Sequence, residues 1–180
     1  MRKEIQIPIG EDERKKLRIY DQLYLNGQLI VARDSAHKRL AALLKEGSPL
    51  PLSLKGKVIY YMGPAQAAVG QIIGSCGPTT SARMDPFTAM MMDEGVVATI
   101  GKGPRSEEVR DAVKKANGLY LTAFGGCGAL YAKCVKKSRV IAFVEDGPEA
   151  LLEIEVENFP VIVAIDSAGN SVFDKKKLDV

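Results

Sequence analysis

From Lys57 to the end of the chain, short β-rich apolar runs alternate with helix-patterned segments, and that order restricts the fold more than any other feature. The runs VIYYM (58–62), VVATI (96–100), LYLTAF (119–124), RVIAFV (139–144) and VIVAID (161–166) read as strands. Between them, Pro86 opens a helix that Gly95 ends, and Ser106 caps another that runs through Asn117 to Gly118. The run GGCGALYAKCV (125–135) reads as a glycine-led turn entering a helix. Strands alternating with helices give an α/β fold with parallel sheet content.

The N-terminal third adds β structure. Residues 3–8, KEIQIP, alternate polar and apolar and predict a strand. In LYLNGQLIVA, Asn26 and Gly27 stand between two β-rich runs, which predicts a hairpin. Asp34 is the expected N-cap of the next helix, whose apolar face is Ala36, Leu40, Ala41, Leu43 and Leu44 before Gly47 and Pro49 stop it. A chain of 180 residues with 46% hydrophobic content supports one sizeable core, so residues 1–180 are expected to form a single domain with a mixed sheet.

Charge excludes some functions. The net charge is +3, the signs are mixed, aromatics are 6% and Trp is absent. A nucleic-acid binder would show a denser basic stripe with interleaved aromatics. No apolar run approaches the roughly 18 residues of a membrane span, and the N-terminus is too charged for a signal peptide. A cytoplasmic location with reduced thiols follows as the expectation. Cys76, Cys127 and Cys134 are widely and unevenly spaced, unlike the clustered thiolates of an iron–sulfur site, and read as packing residues; no metal site is expected on this chain.

Three segments concentrate chemistry, each near a strand end. Arg33-Asp34-Ser35-Ala36-His37 lies where a strand enters a helix, a usual ligand position in α/β folds. Arg33 can clamp a carboxylate bidentately, although the local pattern also fits a surface arginine beside a capping Asp34. His37 is the only histidine and fits a structural hydrogen-bonder as well as a base. The run Gly77-Pro78-Thr79-Thr80-Ser81-Ala82-Arg83-Met84-Asp85 sets three hydroxyls ahead of an arginine in a loop leading to a helix. Such hydroxyls bind anions or move protons once neighbours perturb them, and they also suit a capped loop. Gly101-Lys102-Gly103 follows a strand, and it is not a P-loop because Gly103 stands where that motif needs Ser or Thr. Two arginines, a lysine and a hydroxyl cluster suit a small dicarboxylate.

Together, ARDSAHKRL (32–40), VIYYMGPA (58–65), IIGSCGPTTSARMD (72–85), IGKG (100–103) and GGCGAL (125–130) resemble the β subunit, or C-terminal domain, of class I iron–sulfur fumarases and the related L-tartrate dehydratases. The resemblance covers nearly the whole chain. It implies a swivelling β/β/α domain that closes over substrate. It also implies a hydro-lyase whose [4Fe–4S] cluster sits on a partner α subunit, in an α2β2-type assembly, and not on this chain. Position by position, Arg33, Arg83 and Lys102 match the family's substrate-binding cations, and Thr79 matches the threonine proposed as base at the carbon that loses its proton. The adjacent Thr80 is the alternative holder of that role. Asp34 and His37 belong to the first motif as residues that orient Arg33. The substrate is malate/fumarate, or alternatively L-tartrate, and the isolated chain is expected to be inactive. A reading of another class is a non-catalytic domain that binds an anion or a partner; such a module would have little need for the Thr79 hydroxyl.

Overall fold

The fold was obtained as a computed structural model and is described for residues 3–174. It contains strands β1 (Lys3–Gln6), β2 (Gln22–Val31), β3 (Val58–Tyr60), β4 (Ala98–Gly101), β5 (Leu119–Thr122), β6 (Val135–Ala142) and β7 (Leu151–Ile165). Helices α1 (Glu11–Lys16), α2 (Asp34–Glu46), α3 (Asp85–Asp93), α4 (Glu107–Lys115) and α5 (Gly128–Cys134) connect them, with 3-10 turns at Ser81–Met84 and Val144–Glu149. The expected α/β class with a mixed sheet is what the chain forms.

β1 through β5 run parallel in the order β1-β2-β3-β4-β5, and β7 and β6 are antiparallel additions. β7 pairs with β5 on one edge and with β2 on the other. Strands β2, β3, β4, β5 and β7 therefore close into a ring, which leaves no free edge among them. Side chains alternate across it. Val58, Tyr60 and Met62 face the interior cluster with Leu25, Ile100, Leu121 and Phe159, while Ile59 and Tyr61 face outward. The outer face is covered by α2 through Leu40 and Ala41, by the Ser81–Met84 turn and α3 through Met84 and Met91, and by α4 through Val109, Ala112 and Val113 against Tyr120. Each fully buried Leu, Ile or Val contributes about 1.5–3 kcal/mol by leaving water, which is why these short strands hold without long ladders.

The N-terminal hairpin is a correction. Asn26 and Gly27 lie inside β2, which runs unbroken for ten residues, and β1 pairs with β2 in parallel. The register against β7 slips between Leu25 and Gly27, a bulge that uses the positive φ of Gly27 (121°). A Cβ at Gly27 would also stand 2.9 Å from the Ile7 carbonyl oxygen. The glycine thus serves close packing instead of a turn. A second correction concerns α2: Arg33 is its N-cap position and Asp34 its first helical residue, with no side-chain cap bond from either. At its other end Gly47 adopts the left-handed conformation as expected, and the Gly47 and Ser48 N–H groups donate to Leu44 and Leu43. Ser106 caps α4 by accepting from the Val109 N–H. The strand expected over 161–166 is the end of the much longer β7, and that over 139–144 overlaps β6. Part of the polar tail, 175–180, lies outside the described residues. Among the described residues no helix is long and apolar enough to cross a membrane.

Candidate functional site

Because β2 to β5 are parallel, their C-terminal ends open on one side, the usual ligand side of such sheets. Each end delivers one of the singled-out segments. β2 leads into Arg33 and Asp34, β3 into the long loop that reaches Thr79, β4 into Lys102, and β5 into Gly125.

The loop after β3 returns to continue the ladder. The Thr79 N–H donates to Tyr61 O at 2.8 Å, the Lys102 N–H to Thr79 O at 3.2 Å and the Ser81 N–H to Lys102 O at 2.9 Å. Thr80 and Lys102 form an isolated parallel bridge. Backbone bonds thus fix the hydroxyl run against the lysine turn. The 3-10 turn at Ser81–Met84 then brings Arg83 back over Thr79, where Arg83 Nη2 donates to Thr79 Oγ1 at 2.6 Å.

The same Arg83 nitrogen lies 3.3 Å from Asp34 Oδ2, and Arg33 Nε lies 3.8 Å from that oxygen. Asp34 is therefore shared by two guanidiniums and couples the first motif to the second. Arg33 Nη2 also pairs with Glu149 Oε1 at 3.4 Å. Glu149 supplies the cap that Asp34 does not, because its Oε2 accepts from the Ser35 N–H at 2.9 Å. Arg33 Nε is buried without a hydrogen-bond acceptor among the described residues. Gly63 makes room for this guanidinium, since a Cβ there would stand 2.6 Å from Nη1. Lys102 is exposed, and its stem passes Gly125, with Cδ 3.6 Å from where a Cβ would be.

The structure brings Arg33, Asp34, Thr79 and Arg83 together through side chains, and Thr80 and Lys102 through backbone. His37 is set apart, 1% exposed and packed against the rings of Tyr61 and Phe87. Its Nδ1 donates to Arg33 O at 2.8 Å in the neutral tautomer that suits this carbonyl. Burial pushes its pKa down to about 4, so the ring is neutral and braces the Arg33 backbone.

A buried support lies beneath the site, and sequence reasoning missed most of it. The Arg105 side chain is fully buried. It donates to Asp85 Oδ1 at 2.6 Å and to Thr88 Oγ1 at 2.6 Å, and it lies over the rings of Tyr61 and Tyr120. Asp85 Oδ2 accepts from the Ser106 N–H at 2.7 Å, so one carboxylate joins the end of the hydroxyl run to the start of α4. Asp85 was visible as the end of its motif, but nothing local distinguishes Arg105 from a surface arginine. Glu149 gave no signal either, lying 114 residues beyond its partner Ser35.

The three cysteines are free thiols, Cys76 buried and Cys127 and Cys134 half-buried. Burial pushes the Cys76 thiol up to about 12 and the Cys134 thiol upward, as for packing residues. Among the described residues no group of three or more His, Cys, Asp or Glu converges on a metal position.

The family model described as "Fumarase C-terminus" matches residues 2–176. The chain is 44% identical to "Fumarate hydratase 2" of Leishmania major over 86% of this chain and 28% of that protein. It is 40% identical to "Fumarate hydratase class I, aerobic" of Escherichia coli over 87% of this chain and 29% of that one. Against "Putative L(+)-tartrate dehydratase subunit beta" of Methanocaldococcus jannaschii, identity is 40% over 89% of this chain and 86% of the archaeal protein. The chain thus spans under a third of the length of these fumarate hydratases but most of the archaeal subunit. With the family model matched almost end to end, the chain belongs to the fumarase C-terminal family.

Proposed function

We propose that this chain, as a single domain over residues 1–180, is the β subunit of an iron–sulfur-dependent hydro-lyase that interconverts malate with fumarate and water. Arg33, Arg83 and Lys102 bind the two carboxylates, and Thr79 handles the C–H proton. The observation that carries this reading is the 2.6 Å hydrogen bond from Arg83 to Thr79 Oγ1. A threonine hydroxyl is a weak base on its own, and a guanidinium donating to its oxygen stabilises the form that has lost its proton. Thr79, and not the exposed Thr80, holds that contact. Domain closure would remove water and strengthen each of these charge interactions.

The [4Fe–4S] cluster is assigned to a partner α subunit, where an open iron would act on the hydroxyl lost or gained. Every step assigned to this chain is binding or proton handling, and the chain alone is inactive. The assembly is an α2β2-type complex acting in the cytoplasm. A second reading, an L-tartrate dehydratase β subunit, is favoured by one observation: the archaeal relative is matched over 86% of its length.

The test is anaerobic. The chain is combined with its cluster-loaded partner, and fumarate absorbance is followed after malate is added, with L-tartrate assayed in parallel through oxaloacetate. Malate turnover that falls by about 10²-fold or more in Thr79→Ala and in Arg83→Ala is the expected result. Turnover of tartrate alone selects the second reading, and turnover by the isolated chain contradicts the division of labour.

A further inference from the structure

We propose that Tyr120 is a positioning residue whose hydroxyl pins the arm carrying Thr79 and Arg83 to the turn carrying Lys102. The kinetic part of this inference rests on the hydro-lyase reading.

Tyr120 stands in the middle of β5 and points outward from the ring, toward α4. Its hydroxyl lies 2.9 Å from Ser81 Oγ and 2.8 Å from Gly103 O. A phenol has one proton and a carbonyl can only accept, so Tyr120 donates to Gly103 and receives the Ser81 hydroxyl proton. One atom therefore bridges the 3-10 turn that aims Arg83 and the loop that follows Lys102. Ser81 is fully buried, and its hydroxyl passes over Gly101, where any Cβ would collide with Ser81 Oγ. Glycine at 101 is thus a condition of the bridge.

The ring is held as firmly as the hydroxyl. The Arg105 guanidinium lies 4.9 Å from the Tyr120 centroid, and Arg105 is tied to Asp85 at the far end of the same 3-10 turn. Arm and turn are otherwise joined by two backbone bonds, Ser81 N–H to Lys102 O and Lys102 N–H to Thr79 O. Without the hydroxyl these bonds and the Arg105–Asp85 tie remain, but among the described residues no other hydrogen bond reaches Gly103 O. Proton transfer needs hydrogen-bond geometry, whereas charge attraction falls off gradually with distance.

The test compares Tyr120→Phe with Val113→Ala in the complex with the α partner. Phenylalanine keeps the ring on Arg105 and removes only the bridge. Val113 shares the packed cluster around Tyr120 but takes no part in the bridge's hydrogen bonds, so it reports generic loosening. Hydrogen–deuterium exchange by mass spectrometry and steady-state kinetics are read on both. Tyr120→Phe is expected to raise exchange in 79–84 and 101–103 and to lower kcat by roughly 10–100-fold, the cost of a misplacement near 1 Å, with a smaller rise in KM. Val113→Ala is expected to leave kcat and both segments as in the wild type. Equal exchange in the two variants overturns the pin, and so does an undiminished kcat in Tyr120→Phe. If the wild-type complex turns over neither malate nor tartrate, the hydro-lyase reading fails and exchange alone decides the pin.

Discussion

Replacing Arg105 with Met should be among the most damaging changes open to this fold, although Arg105 faces neither solvent nor the site. Methionine keeps most of the stem's volume but deletes the bonds to Asp85 and Thr88 at 2.6 Å, the bond to Thr99 at 3.3 Å, and the stacking on two tyrosines. It strands the Asp85 carboxylate, which is only 13% exposed. Breaking a buried pair from one side costs about 3–5 kcal/mol, because the partner charge stays out of water. The lower end applies here, since Asp85 keeps the Ser106 N–H at 2.7 Å. At about 2–4 °C per kcal/mol for a chain of this size, about 3 kcal/mol lowers Tm by roughly 6–12 °C. Urea unfolding followed by far-UV circular dichroism reads the loss directly. Adding Asp85→Asn removes the stranded charge, so the double variant should be more stable than the sum of the single losses by about 1–3 kcal/mol. A loss below about 1 kcal/mol, the range of exposed ion pairs, would refute the reasoning, and so would strict additivity.

Two further predictions follow from burial. His37 is buried with a pKa near 4, against an ordinary value of 6.5. Its contribution is therefore full above pH 6.5 and is lost as pH falls toward 4, because the unfolded state takes up the proton first. Over that window the wild type should lose about 3 kcal/mol more than His37→Asn, and parallel acid-limb curves in urea unfolding would contradict it. The Cys76 thiol, fully buried and pushed up to about 12, should resist iodoacetamide at pH 8 in the folded chain and react once urea is added; rapid labelling of native protein at this residue would show that the burial is wrong.

Buried groups of this kind bear on the chemistry as well. The site's charges come in two layers. Arg33 and Arg83 share Asp34 at the open strand ends, and Arg105 holds Asp85 below them. The upper layer is partly exposed, Arg83 at 48%, which leaves it open to the carboxylate exchange that the proposed function requires. The lower layer is dry and is suited to keeping the upper one in place.

The α/β class, the C-terminal end of α2, the N-cap of α4 and the segments that gather at the open strand ends were all legible in the sequence. Each depends on residues a few positions apart: Leu40 beside Ala36, Ser106 three residues before Val109, Thr79 four before Arg83. The tertiary structure decided the rest. It kept Asn26 and Gly27 inside a strand, because β7 pairs along the whole of β2 and the Ile7 carbonyl fills the space that a side chain at Gly27 would take. It replaced Asp34 as the cap of α2 with Glu149, freeing Asp34 to join two arginines. It also buried Arg105 between two tyrosines. Ring closure sets which strand ends are neighbours, and partners 100 residues apart are chosen by burial and charge at that rim, which no local pattern encodes.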